Sequence, residues 1–137
     1  MATFISNSVA ATERFGREFA EKLKKSSVLG LKGDLGSGKT HFVKGLVLGL
    51  GSAVEVTSPT FTLVHEYRDA RLPVYHFDFF RVENRRSAER LGLDDYFFGD
   101  GVSVIEWADK FPELLPADAI WVSFATRSEN SREITVP

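Results

Sequence analysis

Cysteine is absent from the 137 residues, which excludes disulfides, thiolate metal sites and thiol nucleophiles and is compatible with a reducing compartment. Charge of one sign is not in excess. The 17 Lys and Arg face 19 Asp and Glu, for a formal net charge of -2, so no strong field draws phosphate backbones and autonomous nucleic-acid binding is not expected. No apolar run is long enough to span a bilayer. The opening "MATFISNSVAATERFGREF" has no basic segment followed by an apolar run of signal-peptide length, and the cytoplasm is the expected compartment, with no membrane partner. Internal repeats, low-complexity tracts and Pro/Gly/Ser-rich linkers are also missing. A single domain over residues 1–137 is therefore expected. Its 43% hydrophobic residues, with twelve Phe, are ample for a buried core at this length.

What is present reads as alternating strands and helices. The stretch from Ser6 to Lys25 opens with capping residues and sets Val9, Thr12, Phe15, Phe19 and Leu23 near helical spacing, which predicts an amphipathic helix. Next, "SSVLGLKG" is a short apolar strand running into a glycine loop. After the loop, "KTHFVKGLVLGLG" has helical spacing through Phe42, Leu46 and Leu50 and ends at Gly51. Beyond Pro59, "TFTLVHEY" and "PVYHFDFF" alternate apolar and polar residues and predict two antiparallel strands joined across Arg68 to Pro73. A short polar helix around Ser87 to Leu91 precedes "GLDDYFFGDG". The run "VSVIEW" then looks like an interior strand, "DKFPELLP" a short helix or turn, and "AIWVSFAT" and "REITV" two closing strands. The sum is an α/β sandwich with a central sheet.

The octet Gly33 to Thr40, "GDLGSGKT", fits the phosphate-loop pattern and lies between a strand and a helix, as that pattern requires. Gly33, Gly36 and Gly38 permit backbone conformations closed to other residues, so that successive N–H groups of the loop, through Ser37, can point at phosphate oxygens. The helix that follows adds the positive end of its dipole. Lys39 is expected to reach the β- and γ-phosphates, and the Thr40 hydroxyl to ligate Mg²⁺. The plain alternative is a glycine-rich turn ahead of a helix.

A phosphate loop needs an acid for its metal, normally at the end of a neighbouring apolar strand, and Glu106 after "VSVI" stands there. It would hold Mg²⁺ directly or through water, or orient the attacking water. A surface Glu that happens to follow a strand is the alternative. In "HFDFFR", alternation puts His76, Asp78 and Phe80 on one face. Asp78 is a second acid able to polarise a water or the hydration shell of the metal, or a structural partner of an Arg. His76 reads as a packed, hydrogen-bonded histidine, because no second His or Cys stands at metal spacing. The turn "TSPTF" places Thr57, Ser58 and Thr60 where switch segments of nucleotide hydrolases lie, and a hydroxyl there can sense a γ-phosphate or merely cap a turn. Trp107 either stacks on a base or a partner or covers the sheet.

Taken in this order, the motifs "GDLGSGKTHFVKGL", "SPTFTLVHEY", "VYHFDFFR", "LGLDDYFFGDGVSVIEWADKFPELLP" and "REITV" closely resemble the bacterial TsaE (YjeE) family over nearly the whole chain. The resemblance implies a P-loop NTPase-like three-layer α/β sandwich whose central mixed sheet includes an antiparallel hairpin. It also implies an ATPase with ATP and Mg²⁺ as cofactors, in the synthesis of threonylcarbamoyladenosine on tRNAs reading codons that begin with A. The implied partners are TsaB and TsaD, which transfer the threonylcarbamoyl group, with tRNA reached only through their complex. The resemblance assigns phosphate and Mg²⁺ binding to Lys39 and Thr40, a switch-like loop to Thr60, the metal to Glu106 and assistance to hydrolysis to Asp78, and it puts Thr12 and Arg132 at the nucleotide. His41 stands where the family often has a second Thr, adjoining the metal-binding hydroxyl, and Phe80 replaces the usual Tyr of "HxDxYR".

Three rivals make different demands. A small-molecule kinase needs an arginine lid and an acceptor pocket, for which "RVENRR" would have to serve, although its polar spacing suits a solvated surface. A GTPase needs an Asn-Lys-x-Asp guanine-reading motif, which the chain lacks. A pure binding module would tolerate loss of Glu106 and Asp78, whereas an ATPase should lose turnover with Lys39→Ala or Glu106→Ala and keep its fold, both residues being expected at the site rather than in the core.

Overall fold

The computed structural model describes residues 1–57 and 64–137. Its seven strands are β1 (Ala2–Ser6), β2 (Val28–Gly33), β3 (Val64–Tyr67), β4 (Val74–Asp78), β5 (Val102–Glu106), β6 (Ile120–Ser128) and β7 (Ser131–Val136). They form one mixed sheet in the order β1-β7-β6-β2-β5-β4-β3. The central strands β6, β2, β5 and β4 run parallel, and β3, as expected, returns antiparallel along β4. Helices α1 (Val9–Phe19) and α2 (Lys39–Gly49) cover one face, while the short α3 (Arg85–Glu89) and α4 (Leu93–Phe97) lie with the other. This is the three-layer α/β architecture with a mixed sheet and an antiparallel hairpin. Strands β4 and β5 are buried along their whole length, as parallel strands covered on both faces must be.

The amino-terminal segment differs from the expected helix over Ser6 to Lys25. The Ser8 hydroxyl accepts the Ala11 N–H at 3.0 Å, so the helix begins at Val9, and residues Ala2 to Ser6 instead pair with β7. At its other end α1 tightens into a 3-10 turn at Ala20–Lys22, and Leu23 leaves it in extended conformation to bury its side chain. Helix α2 ends as its glycine suggests. Gly51, at φ 97°, donates to Leu48 O and Ser52 donates to Val47 O, the paired bonds of a left-handed helix terminus. The "GLDDYFFGDG" stretch contributes α4, a helix of five residues, which its length and mixed polarity did not signal.

Helices α1 and α2 approach so closely that glycine is required between them. A Cβ on Gly45 would sit 1.9 Å from Glu13 O, and one on Gly16 would sit 2.3 Å from Phe42 O. Both obstacles are backbone, so no rotamer change relieves them. Gly45→Ala is therefore expected to destabilise the fold by about 2–3 kcal/mol through overpacking. Leu48→Ala, on the same helix but 39% exposed, should cost under about 1 kcal/mol. Urea unfolding of the two variants checks the difference.

Candidate nucleotide site

Parallel strands deliver their carboxyl ends to one edge of the sheet, and ligands of open α/β sheets bind in the crevice there. In this sheet the edge collects the glycine loop after β2, Asp78 at the end of β4 and Glu106 at the end of β5. Register explains the grouping: Glu106 pairs with Leu31 on one side and Asp78 on the other. The two acids thus lie side by side, next to the strand that feeds the loop.

The loop turns through positive φ at Gly33 (153°), Gly36 (76°) and Gly38 (100°), which side chains would resist. Gly38 then caps α2. Lys39, only 5% exposed, folds back so that Nζ donates to Gly33 O at 2.5 Å and Asp34 O at 2.9 Å. The same ammonium stands 4.0 Å from the centre of the Trp107 ring. Burial pulls the Lys39 pKa below the ordinary lysine value, with Glu106, Asp109, Asp78 and Asp34 acting against it.

That direction fixes a pH dependence. Below its folded-state pKa Lys39 is charged and the cost of burying the charge is in force. As pH rises through that value the ammonium discharges, the unfolded chain holds more protons than the folded one, and stability contributed at this site rises until the unfolded value is reached. If a phosphate is held by this ammonium, its affinity should fall as the charge is lost over the same window. Calorimetric titrations with ATP across that window, and melting of the ligand-free protein, should show both trends, and Lys39→Met should remove both.

Thr40, the next residue, donates from Oγ1 to Glu106 Oε1 at 2.9 Å. Two oxygens on adjacent corners of an octahedron with bonds of about 2.1 Å lie about 3.0 Å apart, close to this hydrogen-bonded distance. Among the described residues no three His, Cys, Asp or Glu side chains group as a metal cage. Asp78, 7% exposed, accepts the Phe80 N–H at 2.8 Å.

A cleft of about 590 Å³ joins these groups, within the usual range for a small-molecule site. Gly36, Ser37, Gly38, Lys39, Thr40 and His41 line it, as do Asp78, Glu106, Thr12 and Arg132. Thr12 packs its methyl beneath the loop, where a Cβ on Gly38 would lie 3.6 Å from it. Its hydroxyl lies 2.7 Å from Ser6 Oγ, and since Ser6 donates to Ser8 O, Thr12 is the donor to Ser6. Arg132 ties the β6–β7 turn to the loop, donating to Gly36 O at 3.1 Å and to Ser128 O at 2.9 Å. Thr60 lies outside the described residues.

The cleft also contains residues that sequence reasoning did not single out. Glu129 and Asn130, the turn between β6 and β7, and Leu35, 75% exposed in the loop, border it. Trp107, which the sequence left between stacking on a base or a partner and covering the sheet, forms a wall of the cleft, held at φ 59°, with its ring 4.9 Å from that of Phe80. Arg81 lines the cleft, but Arg85 of "RVENRR" pairs on the surface with Glu89 at 2.7 Å and Glu113 at 3.8 Å. Arg85 thus belongs to a solvated surface pair, while Arg81 at the head of the stretch borders the cleft.

Fold and edge together define an α/β protein with a glycine loop, a lysine and a hydroxyl–carboxylate pair at the carboxyl ends of parallel strands. A family model described as "Threonylcarbamoyl adenosine biosynthesis protein TsaE" matches residues 6–134. The chain is 44% identical to a tRNA threonylcarbamoyladenosine biosynthesis protein TsaE of Bacillus subtilis, over 90% of this chain and 77% of the relative. It is 41% identical to the protein of the same description from Treponema pallidum, over 96% and 97% of the two chains. The crystal structure of Bacillus subtilis YdiB superposes with a TM-score of 0.85 at 36% identity, covering 98% of this chain and 83% of that one. The chain belongs to the TsaE family of tRNA threonylcarbamoyladenosine biosynthesis. Among the described residues no helix is long and apolar enough to cross a membrane.

Proposed function

We propose that the chain binds ATP with Mg²⁺ in this cleft and hydrolyses it in support of a tRNA-modifying complex of TsaB and TsaD. The observation that carries the reading is the 2.9 Å contact between Thr40 Oγ1 and Glu106 Oε1, made beside the Lys39 ammonium at the mouth of a glycine loop. The loop N–H groups and the amino terminus of α2 would hold the phosphates. Lys39 would swing from the Gly33 and Asp34 carbonyls to the β- and γ-phosphates, exchanging neutral acceptors for anionic ones. Thr40 and Glu106 would hold Mg²⁺, which supplies charge neutralisation between the β- and γ-phosphates when bound. Asp78, anchored through Phe80 N–H, would orient the attacking water, and Arg132 braces the loop from the β6–β7 turn.

The surface pairing of Arg85 with Glu89 and Glu113 favours hydrolysis over the kinase reading, for which that arginine would have to serve in a lid. Phosphate release from ATP by the chain alone, with purified TsaB and TsaD, and with small acceptors in their place tests the assignment. Weak basal release, strong stimulation by the pair and no phosphorylated acceptor are expected. A phosphorylated metabolite would overturn the reading.

A further inference from the structure

His76 lies fully buried on β4, two residues before Asp78 on the same face of the strand. Its Nε2 meets Glu106 Oε2 at 2.5 Å, while the other carboxylate oxygen, Oε1, receives Thr40. The Glu106 carboxylate is thus divided, one oxygen turned into the sheet and one turned to the loop. An ionised carboxylate only accepts hydrogen bonds, so the proton in the inner contact sits on His76 Nε2. His76 Nδ1 has no hydrogen-bond partner among the described residues. A proton there would be a buried donor with no acceptor, which carries the full desolvation cost of that group. The neutral Nε2–H tautomer meets both conditions. The rings of Tyr67 and His65, with centroids 6.3 and 6.4 Å away, pack beside the imidazole.

We propose that His76 is a positioning residue for Glu106: its Nε2–H pins Oε2 so that Oε1 faces Thr40 Oγ1, presetting the oxygen pair that receives the divalent cation of a nucleoside triphosphate. The proposal rests on the reading of the cleft as a Mg²⁺–ATP site. Outer partners of this type fix the orientation of a ligating side chain, and their loss typically weakens metal binding 10–100-fold. A histidine that only filled space would affect folding without altering the metal response.

Equilibrium binding of ATP to wild type, His76→Phe and His76→Gln, in EDTA and across a Mg²⁺ series, separates these roles, with melting curves as the check on folding. His76→Phe keeps the ring but has no N–H, and should raise the Mg²⁺ concentration for half-maximal effect by about 10–100-fold while leaving the affinity in EDTA unchanged. His76→Gln, whose amide N–H can reach Oε2, should recover most of the loss. An unchanged Mg²⁺ response in His76→Phe, an equal loss in both variants, or a matching loss in EDTA would overturn the proposal. Nitrogen-15 spectra of the wild-type imidazole need no substitution and decide the case should His76→Phe not fold: a proton on Nε2 is expected, and an Nε2 without a proton overturns the proposal. Should wild-type affinity ignore Mg²⁺, the Mg²⁺–ATP reading falls and the proposal with it. A wild type that responds while His76→Phe matches it removes the proposal alone.

Discussion

Replacing Glu106 by glutamine is expected to lower ATP turnover by on the order of 10²–10³-fold, the scale seen when one preorganised charge-stabilising group is lost from an active site. The amide retains the shape of the carboxylate: its oxygen can take the His76 N–H and its NH2 can donate to the Thr40 hydroxyl, which reverses its role, in place of the contacts at 2.5 and 2.9 Å. What disappears is the negative charge, and with it the attraction for Mg²⁺. Alanine at the same position does more damage. Glu106 is 3% exposed and His76 is fully buried, so Glu106→Ala strands the His76 N–H and should cost about 1–3 kcal/mol of stability besides turnover. The expectation that Glu106 sits outside the core is therefore corrected: it belongs to the site and is buried as well. Phosphate release beside urea unfolding, run on both variants, separates the two effects. Equal stability of the alanine and glutamine variants would contradict the His76 contact.

Lys39→Ala should remove ATP turnover to a similar or greater extent, because the Lys39 ammonium, held at Gly33 O and next in sequence to Thr40, is the group that this reading sends to the phosphates. Its effect on the fold should have the opposite sign. The ammonium is buried at a cost, which is why its pKa lies below the usual lysine range, and alanine lifts that cost while giving up the contacts to Gly33 O and Asp34 O. Melting temperature should therefore hold or rise as ATP binding fails. A variant that loses activity because it unfolds would contradict this account of Lys39.

Much of the site was legible in the sequence because its parts announce themselves locally. A glycine loop between an apolar strand and a helix is a contiguous signal, and Asp78 and Glu106 each end a recognisable apolar run. The side-by-side placement of those acids was not legible, since it depends on β4 and β5 pairing in parallel across an intervening stretch that holds α3 and α4. The same limit hid β1, which pairs with β7 at the far end of the chain, and hid Glu129 and Asn130, which reach the cleft because β7 folds back on β6. His76 was legible as a packed, hydrogen-bonded histidine. Its acceptor, thirty residues away, was visible only once the strands were paired.

The departures from the family pattern also acquire a place. Phe80 is 44% exposed and lies against Trp107 at the cleft wall, so the phenol it lacks would have faced the site rather than the core. His41 follows Thr40 along the cleft and leaves the Thr40–Glu106 contact intact.

The central claim is that ATP hydrolysis at this cleft serves the tRNA-modifying complex. Its most direct test is a reconstitution with TsaB, TsaD, tRNA and the activated threonylcarbamoyl donor, followed beyond the first equivalent of product per TsaD. With the wild-type chain and ATP, modified tRNA should continue to accumulate through repeated turnovers, and with Lys39→Ala or Glu106→Gln it should stop near the first. Sustained accumulation with either variant would contradict the account.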